Sequence, residues 1–174
     1  MPPEPSTRDL ADALRDRGYC IVRGALPAAK VAALDRELVP AFEETPYCRG
    51  GFYGERTKRF GRLLARSPDA DRFVRHPEIL ALAEQILAPW CDTIQLNLTQ
   101  AIALHPGALP QLPHRDQDMW RGVTGEVEYL VNVMWPLTEY RADNGATMIW
   151  PDSHGAAALA GPPAGPPMVA EMVP

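Results

Sequence analysis

The hydrophobic pattern of the chain changes its period near residue 92, and this change restricts the possible folds more than any other feature of the sequence. Before it, apolar residues recur at helical spacing, as in Val31, Leu34 and Leu38. After it, residues 93–104 alternate polar and apolar side chains with period two, which predicts a long strand with one face in the core. Helices followed by strands indicate an antiparallel β core with a helical layer packed against it.

Two more segments extend the predicted β region. Residues 127–137 and 146–150 are rich in strand-forming side chains, and the sequence Asp143-Asn144-Gly145 between them is a strong turn signal. The stretch that follows is rich in Ala, Gly and Pro, which is typical of a loop. We therefore expect a single domain over residues 1–174, with a mostly helical layer at 1–92, a β core at 93–154 and a loop at 155–174.

The first 92 residues divide into helices, a short strand and a loop region. Gly18 is expected to end a helix that contains Leu10 and Leu14, since glycine is common just beyond a helix C-terminus. Pro27 is expected to begin a second helix, which Pro40 ends or kinks. The remaining predicted elements are a strand, a loop region and two helices, at 19–23, 45–61, 69–75 and 77–88 respectively.

Composition and charge exclude several classes of function. The chain has 174 residues and is 46% hydrophobic, which suits one domain with a real core. Its net charge of −5 and its scattered Lys and Arg residues argue against a nucleic-acid partner. No apolar run approaches the ~20 residues of a membrane span, and the polar N-terminus lacks the pattern of a secretory signal.

The cysteines and one group of basic residues need their own interpretation. Cys20, Cys48 and Cys91 form no C-x-x-C pair, so we expect buried, reduced thiols in a cytoplasmic protein. Basic residues crowd the end of the 45–61 region, at Arg56, Lys58, Arg59 and Arg62. Two interpretations are open: a solvated surface, or a basic lip over an anionic substrate or co-substrate.

The segment from Gln111 to Trp120 carries the most informative chemistry. His114 and Asp116 are two residues apart, so in an extended strand their side chains point to the same side. An imidazole beside a carboxylate supplies two thirds of the facial triad that holds Fe(II) and leaves positions open for a co-substrate and dioxygen. A surface His and Asp with local hydrogen bonds is the simpler alternative. Asp118 is expected to be a supporting or surface carboxylate, although an exchange of ligand roles with Asp116 stays open.

The second informative segment runs from Asp143 to His154. Its pattern predicts a tight turn, a short strand and a second turn. His154 follows Asp116 by 38 residues (154 − 116), a separation that a barrel could bridge. His154 is therefore either a third metal ligand or, as is commoner for a histidine in a turn, a hydrogen-bonded structural residue.

Together the two segments resemble the phytanoyl-CoA dioxygenase family of Fe(II)- and 2-oxoglutarate-dependent oxygenases. The resemblance covers nearly the whole chain, and its most specific part is Gln111-x-x-His114-x-Asp116. Asn144-Gly145-Ala146-Thr147 and Pro151-Asp152-Ser153-His154 resemble the family's N-G-A-T and P-G-S-H signatures, with Asp152 in place of the glycine. The resemblance implies a mainly β fold with N-terminal helices, namely a double-stranded β-helix, or cupin-like jelly roll.

The resemblance also implies roles for individual residues. His114 and Asp116 would bind iron, and Gln111 and Thr147 would line the 2-oxoglutarate pocket. Asn97 and Thr99 would either line it too or form an exposed polar face. The P-G-S-H histidine is structural in the family, which favours a structural role for His154. The implied activity is hydroxylation of a small organic molecule, whose identity depends on loops that no motif specifies.

One departure from the family pattern affects the expected activity. The distal histidine ligand and the arginine that binds 2-oxoglutarate normally come later than the segments matched here, so the barrel is expected to be incomplete within these residues. Three interpretations follow: a fragment of a longer product, a chain completed by a second copy in a homodimer, or a degenerate relative. The alternative function is that of a catalytically inactive, cupin-like binding protein.

Overall fold

The computed structural model describes residues 5–120, 122–123, 125–161, 163 and 165–174. These residues form four α-helices, four short strands and three 3-10 helices. The α-helices are α1 (Thr7–Arg17), α2 (Ala28–Glu44), α3 (Ala70–Val74) and α4 (Pro77–Leu87). The strands are β1 (Thr57–Gly61), β2 (Gln100–Leu104), β3 (Met148–Ile149) and β4 (Met168–Val169). The 3-10 helices span Leu63–Ala65, Asp116–Trp120 and Gly155–Ala160.

Helix α1 begins and ends with well-defined capping residues. The Ser6 side chain accepts a hydrogen bond from the Asp9 backbone N–H, and the Asp9 carboxylate accepts one from the Ser6 N–H, which completes a capping box. Gly18 ends the helix in the left-handed conformation, with φ of 79°. The expected end of this helix at Gly18 is thus confirmed.

Helix α2 begins after Pro27, as expected, but Pro40 does not end it. The helix continues to Glu44 with Pro40 inside it. The apolar face of α2 lies on the larger core cluster, where it packs against β1, β2 and α3. The buried members of this cluster are Val31, Leu34, Leu38, Phe60, Ala70, Phe73 and Ala101. Burial of the α2 face against the sheet stabilises the helix sufficiently to accommodate a proline that propensity alone disfavours.

A smaller core cluster joins α1 to α4, and both helices beyond residue 69 lie where the sequence placed them. Leu10 and Ala11 of α1 pack on Leu82 of α4, and Leu14 and Ile86 lie partly buried beside them. Pro77 occupies the first turn of α4, where its missing N–H costs no helical hydrogen bond. The apolar faces of these helices are predicted by their spacing, whereas the pairing of α1 with α4 is not.

Strands β1 and β2 form an antiparallel pair that lies against α2. Arg59 is opposite Ile102, and Phe60 is opposite Ala101. Phe60 and Ala101 point into the core, so the face that carries Arg59 and Gln100 points away from it. Two expectations were wrong here. The 45–61 region is not entirely loop, because β1 ends it, and of the long strand predicted at 93–104 only residues 100–104 form a ladder.

A second antiparallel pair joins β3 to β4, with Met148 opposite Val169. The strand expected at 146–150 is therefore present in shorter form, whereas the expected loop at 155–174 contains a 3-10 helix and β4. Residues 19–23 and 127–137, all of them described by the structure, form no strand. The described chain thus has helices plus two small sheets, and its helical residues outnumber its strand residues.

Two remaining expectations concern thiols and membranes. Cys20 and Cys48 are free and half-buried, whereas Cys91 is free and exposed, so the expected burial of all three was wrong. Burial raises the pKa of the Cys20 thiol, and the nearby Glu78 carboxylate adds to this effect. Within the described residues, no helix combines the length and apolar character needed to cross a membrane.

Candidate metal and co-substrate site

His114 and Asp116 lie side by side, although the local backbone is not the strand that the sequence argument assumed. Nε2 of His114 is 3.5 Å from Oδ1 of Asp116. Residues 111–115 form a loop, and Asp116 begins a 3-10 helix that ends at Trp120. The two side chains are each less than half exposed, at 37% and 41%. The pair therefore occupies a partly open position at the surface of the described chain.

A hydrogen bond orients each member of this pair. Nδ1 of His114 is 2.8 Å from the Leu112 carbonyl oxygen. Since a carbonyl only accepts, Nδ1 is the donor in this contact, and Nε2 is the ring nitrogen that faces Asp116. Oδ2 of Asp116 accepts a hydrogen bond from the Asn132 side-chain amide, which leaves Oδ1 directed at His114. A metal-binding histidine commonly has its second nitrogen held in this way.

The two free donor atoms fit a shared metal ion. Bonds from a divalent metal to imidazole nitrogen and carboxylate oxygen are about 2.1 Å long, so two of them span up to about 4.2 Å. The 3.5 Å separation of Nε2 and Oδ1 lies within that span. Mixed nitrogen and oxygen ligands are the set that a facial Fe(II) site uses. His114 and Asp116 are thus compatible with two positions of such a site.

A third protein ligand is not brought to this pair within the described residues, which contain no group of three His, Cys, Asp or Glu side chains able to hold a metal. The other histidines have different contacts. Nε2 of His76 is 2.9 Å from the Ala25 carbonyl, and the His105 ring packs edge-on against Tyr47. Nε2 of His154 is 2.7 Å from the Arg15 carbonyl of α1. The structure therefore gives His154 the hydrogen-bonded structural role.

Asp118 is turned away from the pair. Its carboxylate accepts hydrogen bonds from Nε of Arg115 at 3.1 and 3.2 Å, and the Arg115 guanidinium also donates to the Ser153 carbonyl at 3.4 Å. The 3-10 conformation rotates Asp118 off the face that a continued strand would have given it. Asp118 thus supports the loop through Arg115, as one of the two sequence-based interpretations expected.

Gln111 belongs to a polar cluster that the sequence did not reveal. Its Oε1 accepts from Nη2 of Arg59 at 3.3 Å, and its Nε2 donates to the Phe52 carbonyl at 3.0 Å. Nη1 of Arg59 also donates to Oε1 of Gln100 at 3.4 Å. Nε of Arg59 is buried and has no partner among the described atoms. These long hydrogen bonds and the unpaired Nε leave donor capacity for an anionic ligand.

Phe52 links this cluster to the candidate metal ligands. Its ring packs edge-on against the His114 ring, with 5.0 Å between the centroids, while its carbonyl holds Gln111. The Tyr53 ring lies under the Arg59 guanidinium at 5.3 Å. Residues of the loop at 50–56 thereby contact Arg59, Gln111 and His114. Sequence reasoning singled out Arg59 only as part of a basic group. The β1–β2 register, which places Arg59 on the face of the sheet that points away from the core, was not predicted.

The other residues expected to line a co-substrate pocket have separate contacts. Oγ1 of Thr147 donates to Sδ of Met134 at 3.5 Å, just before β3. Oγ1 of Thr99 accepts a hydrogen bond from the Leu63 N–H at 2.9 Å, which ties β2 to a 3-10 helix. Asn97 is exposed in a groove that Arg62 and Leu64 also line. Among the described contacts, none joins Thr147, Thr99 or Asn97 to the Gln111–His114 cluster.

Comparison with known proteins identifies the lineage of this site. Residues 14–161 match the model of the family described as phytanoyl-CoA dioxygenase (PhyH). The chain belongs to this family. The matched stretch includes the complete Gln111–Asp116 and Asn144–His154 segments, so the family expected from those motifs is confirmed. The family has a cupin-like fold.

Several curated relatives carry dioxygenase names. The chain is 28% identical over 155 residues to the multifunctional dioxygenase AusE of Aspergillus calidoustus, an alignment that covers 84% of this chain and 52% of the relative. It is 28% identical over 173 residues to the dioxygenase FrzG of a Cladobotryum species, covering 88% and 56%. It is 29% identical over 167 residues to the dioxygenase CdmD of Talaromyces verruculosus, covering 81% and 54%. The chain spans about half the length of these relatives.

Proposed function

We propose that this chain contributes the Q-x-x-H-x-D half of the active site of an Fe(II)- and 2-oxoglutarate-dependent dioxygenase that hydroxylates a small organic molecule. The observation that carries the proposal is the pair of free donor atoms, Nε2 of His114 and Oδ1 of Asp116, 3.5 Å apart. The family match and the dioxygenase names of the relatives support an oxygenase.

His114 and Asp116 would hold the iron, each through the atom that its own hydrogen bond leaves free. Iron bound there would supply the activation of dioxygen, coupled to the decarboxylation of 2-oxoglutarate to succinate. The protein's contribution is to fix the donor atoms in advance. The hydrogen bond from Nδ1 to the Leu112 carbonyl holds the ring so that Nε2 is the nitrogen available for ligation.

Gln111 and Arg59 are the groups proposed to bind the carboxylate of the co-substrate. The guanidinium offers planar, fork-like donors suited to a carboxylate, and Gln111 holds it in position while offering its own amide. Phe52 connects these groups to the proposed iron ligands, because its carbonyl accepts a hydrogen bond from Gln111 and its ring contacts His114. Thr147 is a further proposed pocket residue. Asn97 and Thr99 stay predictions, and the hydrogen bond from the Leu63 N–H gives Thr99 a structural role independent of any ligand.

The proposed architecture is a single oxygenase domain with a double-stranded β-helix. Within the described residues, β1–β2 and β3–β4 supply two small pieces of sheet. A third iron ligand is not brought to this pair by the described residues, and a second copy of the chain is one proposed source of it. The alternative function is a catalytically inactive, cupin-like binding protein. The presence of two rather than three metal donors in the described site favours this alternative for the chain on its own.

Anaerobic Fe(II) binding followed by succinate release from 2-oxoglutarate tests the proposal. We expect His114→Ala and Asp116→Ala each to lower Fe(II) affinity at least tenfold, since each removes a ligand. Arg56→Ala, which changes an exposed residue of the neighbouring basic group, is the control. Fe(II) affinity that is unchanged in Asp116→Ala would contradict the ligand assignment.

Turnover then separates the two candidate functions. Succinate release from the 174-residue chain would mean that a third ligand is supplied within it or by a second copy, and the dependence of the rate on protein concentration distinguishes these sources. Iron binding by His114 and Asp116 without succinate release would support the inactive binding protein for this chain.

A further inference from the structure

Asn132 makes a contact that neither the motif nor the family match singles out. Its side-chain amide donates a hydrogen bond to Oδ2 of Asp116, across a separation of 16 residues in sequence. Oδ1 of the same carboxylate is the atom that faces Nε2 of His114. Asn132 is exposed and lies outside the regular strands, so core packing gives no reason for its position.

The segment that carries Asn132 is held alongside the 3-10 helix of Asp116 by further hydrogen bonds. The backbone N–H of Tyr129 donates to Oε1 of Gln117 at 3.4 Å. The Tyr129 hydroxyl accepts from the Val123 N–H at 2.9 Å. Three hydrogen bonds thus tie Tyr129 and Asn132 to the segment that contains Asp116, Gln117 and Val123, and the Asn132–Asp116 contact is one of them.

This contact has a direct consequence for the carboxylate. A free Asp side chain rotates about its Cβ–Cγ bond and can offer either oxygen, or both, to a cation. An amide N–H bound to Oδ2 opposes that rotation and occupies part of the lone-pair capacity of this oxygen. Oδ1 then stays directed at His114, in the arrangement of a single-oxygen ligand. An amide donor achieves this without adding charge, so the carboxylate keeps its full attraction for a divalent cation.

We infer that Asn132 is a positioning residue that holds Asp116 as a single-oxygen metal ligand; this inference rests on the proposed metal-binding role of His114 and Asp116. Groups that orient a metal ligand in this way typically change metal affinity 10–100-fold when they are removed. We therefore expect Asn132→Leu to weaken Mn(II) binding by about tenfold or more. Asn132→Gln, which retains an amide donor on a longer side chain, should recover part of the loss.

Mn(II) titration of the full chain, followed by electron paramagnetic resonance, provides the binding test. Wild type, Asp116→Ala, Asn132→Leu and Asn132→Gln are compared with Val133→Thr, a change at the next, exposed residue of the same segment. Weakened binding in Asn132→Leu, partial recovery in Asn132→Gln and wild-type binding in Val133→Thr would support the inference. Weak binding in Asp116→Ala with unchanged binding in Asn132→Leu would overturn it and leave the proposed metal site intact. Wild-type binding in Asp116→Ala, or none in the wild type, would overturn both.

A second measurement needs neither metal nor a substitution at Asn132. The side-chain amide protons of Asn132 are followed by nuclear magnetic resonance in wild type and Asp116→Ala. Loss of a charge-assisted hydrogen bond should move the bonded proton upfield and speed its exchange with water. Unchanged amide resonances in Asp116→Ala would overturn the inference even if Asn132 variants altered folding.

Discussion

The His154 side chain reaches back to the first helix, where its Nε2 lies 2.7 Å from the carbonyl oxygen of Arg15. Because a carbonyl only accepts, Nε2 is the donor in this contact. Nδ1 is buried and has no partner among the described atoms. A second bond, from the Asp152 N–H to the Arg17 carbonyl at 3.0 Å, reinforces the contact. The turn at 152–154 thereby satisfies carbonyl groups at the end of α1.

The first prediction separates the structural role of His154 from the ligand role of His114. We expect His154→Ala to lower the free energy of unfolding by about 1–2 kcal/mol, since it removes a hydrogen bond that covers a helix end. Its Mn(II) affinity should equal that of wild type. His114→Ala should leave the free energy of unfolding nearly unchanged and weaken Mn(II) binding, because the His114 ring is partly exposed and its proposed role is ligation. Urea denaturation and Mn(II) titration of both variants measure these two effects. Weakened Mn(II) binding in His154→Ala would make His154 a candidate ligand again.

The second prediction concerns the close approach of His154 to Gly18. A Cβ atom at Gly18 would lie 2.6 Å from Nδ1 of His154, and φ at this residue is +79°. Gly24 has a similar φ of +64° with open space around it, so it is the matched control. Both alanine variants should lose about 1–2 kcal/mol to left-handed strain, and Gly18→Ala should lose more through the clash.

A double-mutant cycle measured by urea denaturation isolates that clash. In a His154→Ala background, the extra cost of Gly18→Ala should disappear, because the ring that the new Cβ would meet is absent. Equal costs of Gly18→Ala in the two backgrounds would contradict the contact.

The third prediction follows from the capping box of α1. Hydrogen bonds from the Ser6 hydroxyl and the Ser6 backbone N–H hold the pKa of Asp9 below its usual value of 3.8. Since the folded-state pKa is the lower one, this contribution to stability is present above pH 3.8 and is lost as the pH falls through the folded-state pKa. Ser6→Ala should therefore raise the pKa of Asp9 and shrink its acid-dependent contribution. Carboxyl titration by nuclear magnetic resonance measures the shift, and an unchanged pKa would argue against the box.

Sequence succeeded where the structural cause is local. Gly18 and Pro27 mark helix boundaries through their own backbone preferences, so these boundaries were predicted correctly. Alternation, in contrast, specifies which face of a strand is apolar but not whether a partner strand is present to form a ladder. The alternation at 93–104 therefore predicts one long strand, although β1 pairs only with residues 100–104.

In the candidate site too, local relationships were predicted and long-range contacts were not. The approach of His114 and Asp116 was predicted from their spacing, and the two residues do meet, yet through a loop and a 3-10 helix rather than a strand. Asn132 was not predicted, and Arg59 was predicted only as one of a basic group, because their contacts join residues 16 and 52 positions apart. Such contacts depend on register and chain direction, for which a single sequence contains no local signal.

The last prediction tests Arg59 as a co-substrate group. Arg59 donates to Gln111 of the site, and its buried Nε has no partner within the part of the chain that the structure describes, so a carboxylate is the ligand that its remaining donors would favour. We expect Arg59→Met to weaken binding of 2-oxoglutarate at least tenfold, measured calorimetrically on the Mn(II)-loaded chain, while Mn(II) affinity itself stays unchanged. The unbranched Met side chain keeps an apolar stem in this position but removes the guanidinium that lies over the Tyr53 ring.

Arg56→Met is the matched control for this prediction, because Arg56 belongs to the same basic group but is exposed. If the group acted only as a diffuse basic surface, both variants would weaken binding to the same modest degree, and 150 mM salt would remove most of the effect by screening. A loss confined to Arg59→Met that persists in salt would instead indicate direct contact with the carboxylate. Unchanged binding in Arg59→Met would assign Arg59 to the structure of the loop at 50–56 alone.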